Sequence, residues 1–422
     1  MTGRSGHVAS RLRIIVTGLM AQHRLLGGVA WGCLNYILGL ARLGHDVYYV
    51  EDSGQWPYNL DGGPAGDNWI ARDCTPHVEY LSNVMSRFGL GDKWAYRFPI
   101  EPRWFGLGES GMKELLRTAD LLLNHSGTLE HPENYRAIPR LAYIDTDPVF
   151  TQIEVAEGQT DLKKRVDVHD IHFSIGECLA APVPETGHRW RPTRPPIALG
   201  EWRTSGRPRP VFTTVMNWTS YKPVFWDGET YGQKDVEFMQ FMELPGKVEP
   251  TILEVALPRL HHKKWQASYS RVPPAVDQVV SDHPTWSPQD LLAYFRWRPV
   301  DAIQIGVDFE QYRQYIQCSQ AEWSIAKNGY VRGRSGWFSN RSACYLAAGR
   351  PVVVQDTGFK PVLPVGEGIL SFQNIDEAAA AIREVEGDYV RHSRAAQAIA
   401  EEYFDSAKVL TRLVEEAMGP HD

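Results

Sequence analysis

The residues of this chain with the most chemical potential are cations and small polar groups gathered between positions 327 and 342. Lys327, Arg332 and Arg334 lie in one short loop that runs into Ser339, Asn340, Arg341 and Ser342. Ser339 and Asn340 are both good N-caps, and 341–348 is a short helix-tolerant run closed by Gly349 and Pro351. Free N–H groups at a helix start, with nearby positive charge, suit a phosphate. The run 352–354 is β-branched and reads as a buried parallel strand, followed by the turn Asp356-Thr357-Gly358-Phe359. Ordinary α/β packing would produce the same pattern, since strand–Gly–helix turns recur throughout that class.

These groups need elements to hold them. Residues 13–19 (RIIVTGL) predict a first strand, followed by a loop with His23 and the pair Gly27-Gly28. A helix over 30–43, Gly44 and a strand over 47–50 complete a βαβ unit. The Gly pair would let a ligand or a second domain approach the backbone, but GGVAWG lacks the spacing of a dinucleotide fingerprint. Residues 53–110 read as an insertion of irregular loops around one helix over 77–88, either an acceptor pocket or a lid. Strands over 119–124, 140–144 and 172–175 then end in His125-Ser126-Gly127, Asp145-Thr146-Asp147 and Gly176-Glu177. Their carboxyl ends should share the functional edge of a doubly wound sheet.

A Pro- and Arg-rich stretch, 182–210, is the clearest shift in composition and reads as an interdomain linker. A second α/β unit follows: a strand over 211–216, Asn217-Trp218, a loop with Lys222, a helix over 236–242, a strand over 302–306, a helix over 309–317 and a strand over 322–326. Helices over 376–384, 389–403 and 406–417 close the chain.

At 422 residues, 43% apolar and net charge −7, with no charged tail, the sequence suits a globular protein and not a partner of nucleic acid or anionic membrane. Five scattered cysteines form no disulfide framework or zinc site. With no apolar segment of membrane-spanning length, the expected location is the cytoplasm.

Two Rossmann-type halves, a Gly-Gly loop after the first strand, a Pro-rich linker and paired C-terminal helices resemble the GT-B glycosyltransferases. ACYLAAGRPVVV, DTGF, GEGILSF and IDEAAAAI are similar to the donor half of the group 1 (family-four-like) members, over about 90 residues. The resemblance implies an acceptor domain over 1–200, a nucleotide-sugar domain over 201–390 and helices over 391–422 crossing back to the first domain. It implies transfer of a sugar from a nucleoside diphosphate sugar to a hydroxyl of a small molecule, glycan or lipid, with no metal and no further cofactor.

Residue by residue, the family's phosphate-binding lysine falls on Lys234. Its arginine after the domain's first strand has no counterpart; Asn217-Trp218 stands there, with Lys222 as a substitute. The family's sugar-facing histidine matches His125, and His23 lies where inverting GT-B enzymes keep a general base. Gly358 and Phe359 fall on the family's Gly-Gly turn; Glu367 either approaches the sugar or caps a loop. Asp145 and Asp147 form an Asp-x-Asp, a metal–diphosphate signature in GT-A enzymes. With a second Rossmann-like half present, they read instead as acceptor-side, interdomain or turn residues, with Asp145 a candidate general base. One departure stands out: the family's paired glutamates fall on Gly336 and Cys344. An epimerase of nucleotide sugars and a non-catalytic sugar-nucleotide sensor remain as alternatives.

Overall fold

The computed structural model describes residues 11–58, 71–258, 272–306 and 308–420. Eight strands form the first sheet: β1 (Arg13–Thr17), β2 (Asp46–Glu51), β3 (Trp94–Phe98), β4 (Arg103–Gly106), β5 (Leu121–His125), β6 (Arg140–Asp145), β7 (Ile171–Ser174) and β8 (Trp190–Pro192). Their spatial order is β4-β3-β2-β1-β5-β6-β7-β8, parallel except for the β3–β4 pair. The second half opens with β9 (Val211–Val215) and a small antiparallel hairpin, β10 (Val224–Trp226) and β11 (Glu229–Tyr231). Then come β12 (Ile252–Leu257), β13 (Arg298–Asp301), β14 (Ala321–Ser324), β15 (Val352–Gln355) and β16 (Ile369–Phe372). The second sheet runs β13-β12-β9-β14-β15-β16 and is parallel throughout. Both sheets reverse their winding beside their first strand, between β1 and β5 and between β9 and β14. Open α/β sheets bind ligands at such reversals, outside the carboxyl ends of the strands.

Three local expectations change. Residues 302–306 are a helix, Ala302–Gly306, and the strand is the preceding Arg298–Asp301. The alternation in AIQIG imitates a strand, but the Asp301 carboxylate accepts from the Ile303 N–H at 2.9 Å and turns the chain into a helix start. The 53–110 insertion is more regular than its composition suggests. Besides helix Thr75–Arg87 it supplies β3 and β4, which extend the first sheet. Its residues 59–70 lie outside the described ones. The Pro-rich stretch is not a free tether either. It contributes β8 and a helical turn, Leu199–Trp202, whose fully buried Trp202 meets Trp31 at 4.9 Å.

One hydrophobic cluster spans the two halves, and each half has a further core of its own. Helix Gly27–Arg42 of the first half is buried along most of its length, against helices Phe309–Cys318 and Ser406–Met418. At Gly39 an added Cβ would stand 2.5 Å from Leu410 Cδ1, so glycine permits the C-terminal helix to cross back onto the first half. Among the described residues no helix is long and apolar enough to cross a membrane.

Candidate functional site

Two adjoining chambers open between the sheets. The larger, about 330 Å³, lies at the carboxyl ends of β9 and β14 and is closed from the other side by the first turn of helix Gly27–Arg42. Leu26, Gly27, Gly28 and Val29 form that roof; Lys234, Lys327 and Arg341 form the charged floor. The second chamber, about 310 Å³, lies at the carboxyl ends of β1 and β5 and holds His23 and His125. Gly28, Trp337, Ser339 and Asn340 border both.

Helix Asn340–Ala347 points its start at this junction. Ser339 caps it by accepting from the Arg341 N–H at 3.2 Å, and Gly349, at φ +70°, ends it. The close roof depends on Gly27: an added Cβ would sit 2.5 Å from Tyr312 Cβ on helix Phe309–Cys318. It is thus a second domain that approaches the Gly pair.

The three floor cations differ in how their charge is answered. Arg341 turns inward: Nε donates to Glu322 at 2.6 Å, and its two Nη groups donate to the Val215 carbonyl and Ser324 Oγ. Glu322 is fully buried beneath it. Lys327 reaches Asp147 of the first half at 2.9 and 3.0 Å, and Tyr221 Oη at 2.6 Å. Lys234 has neither carboxylate nor hydrogen-bond partner among the described residues. Burial pushes its ammonium well below the usual lysine range, and the charges of Arg341 and Lys327 push the same way, with Glu322 opposing. An amine whose charged form is disfavoured here regains its proton most readily when an anion arrives, so the chamber suits an anionic ligand.

The two imidazoles of the second chamber are neutral at physiological pH, because burial lowers His23 and His125 each to about 4. His125 Nδ1 lies 4.0 Å from Cys33 Sγ, and its ring meets Tyr36 at 5.0 Å. The loop carrying His23 is anchored from below by Glu51 at the end of β2, which accepts from the Ala21 and Gln22 N–H groups at 2.8 and 2.7 Å.

Several other sequence candidates fall away from the chambers. Asp145 is buried and accepts from Thr151, Gln152, Ser174 and the Asp147 N–H at 2.7–3.0 Å. Buried, with its lone pairs taken and lining neither chamber, it ties the end of β6 to the helix that follows and to β7 and is out of reach of an acceptor hydroxyl. Trp218 is a fully buried core residue against Phe238. Lys222 is exposed and lines neither chamber. Arg332 is exposed and pairs with Glu229 of the β10–β11 hairpin. Arg334 is exposed at the left-handed end of helix Asn328–Gly333 and also lines neither chamber. Ser342 and Phe359 are buried beneath the site, and Gly358 packs against the Arg334 backbone. Glu367 is exposed and pairs with Arg391 at 3.5 Å. Gly336 and Cys344 leave no acid at the chamber wall, and Cys344 is fully buried.

Sequence reading missed Tyr312 and Trp337. Tyr312 had only its place on an amphipathic helix as a signal. Trp337, two residues before the cap, stacks on Tyr330 at 4.4 Å and divides the chambers. Among the described residues, no group of three or more His, Cys, Asp or Glu is placed to hold a metal ion.

No family model matches the chain, and no curated protein matches its sequence. Solved structures do match over nearly the whole length. Anabaena HepE, in complex with UDP and glucose, aligns with a TM-score of 0.55 at 12% identity, covering 96% of this chain and 99% of that one. An alpha-glucosyltransferase in complex with UDP and a 13-mer DNA containing a HMU base aligns with a TM-score of 0.55 at 13% identity, covering 97% and 100%. The same kind of enzyme with UDP-glucose and DNA containing an abasic site aligns with a TM-score of 0.54 at 11% identity, again over 97% and 100%. The chain has the GT-B fold. Within a GT-B fold, the charged chamber is the one under the second sheet and the uncharged one belongs to the first.

Proposed function

We propose that this chain is a glycosyltransferase that moves a sugar from a nucleoside diphosphate sugar to an acceptor hydroxyl. The unanswered ammonium of Lys234, beside the free N–H groups of helix Asn340–Ala347, carries the reading. In sugar transfer the diphosphate departs with negative charge while the anomeric carbon becomes oxocarbenium-like. Preorganised cations and helix N–H groups stabilise that leaving charge without reorganising at the moment of reaction. Lys234 and the helix N–H groups do this work, Arg341 and the Lys327–Asp147 pair hold the floor in place, and no bound metal is needed to carry the diphosphate. His125 faces the sugar, and His23 is placed beside the acceptor to take its proton. HepE and the alpha-glucosyltransferase are seen with UDP or UDP-glucose, which makes a UDP-hexose the first donor to test.

The described walls of the second chamber hold no carboxylate, which speaks against an epimerase that must move protons with cleft acids. The test is incubation with UDP-, dTDP- and GDP-sugars, with and without EDTA, following nucleotide release. Slow release from one donor, unchanged by EDTA, is expected. Interconversion of sugars, or a thermal shift with no turnover, would sink the transferase reading; loss of release with EDTA would sink its metal-free part.

A further inference from the structure

The second chamber says what kind of acceptor the enzyme takes, an inference that rests on the transferase reading above. Its described walls contain no Lys, Arg, Asp or Glu. Leu19, Val29, Ile175, Pro195 and Trp337 give it an apolar face. Ser126, Thr128, Thr146 and Ser339 supply neutral hydroxyls; Ser126 and Thr146 are already 2.6 Å apart. Its two imidazoles are uncharged at physiological pH. Three guanidinium groups sit next to lining residues in sequence, Arg24, Arg194 and Arg341, and none lines the chamber; Arg194 donates to Glu177 at 2.5 Å and the Val362 carbonyl at 3.0 Å, and Arg341 to Glu322 at 2.6 Å. The Tyr58 ring lies 5.1 Å from His23. The contrast with the neighbouring chamber, floored by three cations, is sharp.

We propose that the acceptor is a neutral polyhydroxylated molecule with an apolar face, such as a sugar ring or a glycoside, and that phosphorylated or carboxylated acceptors are excluded. An anion desolvated against this wall would meet no Lys or Arg side chain. A neutral sugar can lay its C–H face on Trp337 and Ile175 while its hydroxyls exchange hydrogen bonds with the wall. Keeping positive charge out of this chamber also leaves the diphosphate one place to go. At about 310 Å³ the chamber stands near the lower end of small-molecule sites, roughly 300–1,000 Å³.

The experiment is calorimetric titration of matched pairs into the full chain, with and without saturating UDP: 4-nitrophenyl glucoside against its 6-phosphate and against 4-nitrophenyl glucuronide, then the galacto and manno series. The neutral member is expected to bind at least about tenfold more tightly in the series that fits. An Ile175→Arg variant should shrink or reverse that preference; the native comparison decides alone if the variant does not fold. Equal or tighter binding of the charged members overturns the proposal, and so does an absence of binding in every series. The UDP titration is read separately: failure of UDP to bind counts against the donor site, whatever the acceptors do.

Discussion

Lys327 Nζ lies 2.9 Å from the Asp147 carboxylate, joining residues 180 positions apart and from opposite sides of the cleft. Tyr221 and Tyr330 donate to the same carboxylate, so Asp147 gathers three groups from the second half. Beside a donor chamber this pair is placed to hold the halves closed and exclude water. Asp147→Asn should raise the ratio of donor hydrolysis to transfer, and lower Tm slightly, since a partly exposed pair contributes only about 0–1 kcal/mol. An unchanged ratio, read by comparing free sugar with glycosylated product, would show that the pair does not control closure.

Lys234 separates binding from stability. Lys234→Met removes a charge-assisted contact worth about 1.5–3 kcal/mol, so UDP affinity should fall roughly 10- to 100-fold. The same change removes a desolvated cation without a partner, so Tm should hold or rise. A fall in both calorimetric affinity and Tm would mean that the lysine is structural.

Arg341 should behave in the opposite way. Arg341→Ala leaves Glu322 fully buried and unpaired, at a cost of about 3–5 kcal/mol. Replacing both, as Arg341→Met with Glu322→Gln, should restore most of that stability in urea unfolding. If the single variant unfolds like the wild type, the buried pair is not the floor's support.

Glu51 makes a pH prediction. Burial raises its carboxyl from 4.5 to about 7, although Tyr49 and the Ala21, Gln22 and Met20 backbone oppose the shift. The folded chain therefore binds a proton more tightly than the unfolded chain. Stability from this group is complete below pH about 4.5 and is lost as pH rises through about 7, a change of about 3 kcal/mol. Measured against Glu51→Gln, the wild type should lose its relative stability over that window. A difference that stays flat with pH would refute the assignment.

Gly27→Ala tests the roof of the donor chamber. Its new Cβ would meet Tyr312 Cβ at 2.5 Å, well inside contact distance, and either the helix start or Tyr312 must move. Overpacking of this kind costs about 1–3 kcal/mol. Lower Tm and weaker UDP binding are expected together; an unaffected UDP affinity would mean that the roof does not touch the donor.

What could be read without the fold was local. Ser339 as a cap, Gly349 as a helix end, the buried run 352–354 and the shared edge at His125 and Asp145 follow from short-range sterics, hydrogen bonding and alternation. They are all present. The strand expected at 302–306 went wrong because alternation is ambiguous over five residues, and a single side-chain cap from Asp301 decided it.

The site's electrostatics were not local, and only the tertiary structure assigned them. Lysines and arginines at 222, 234, 327, 332, 334 and 341 look equivalent along the chain. Which of them stays available depends on partners brought near from elsewhere: Asp147 for Lys327, Glu229 for Arg332, Glu322 for Arg341. Charge pairing falls off over a few ångströms of space, whatever the distance in sequence. Of the three that line the donor chamber, Lys234 is the one left without a partner among the described residues, and the uncharged chamber next to it is likewise a property of assembled walls.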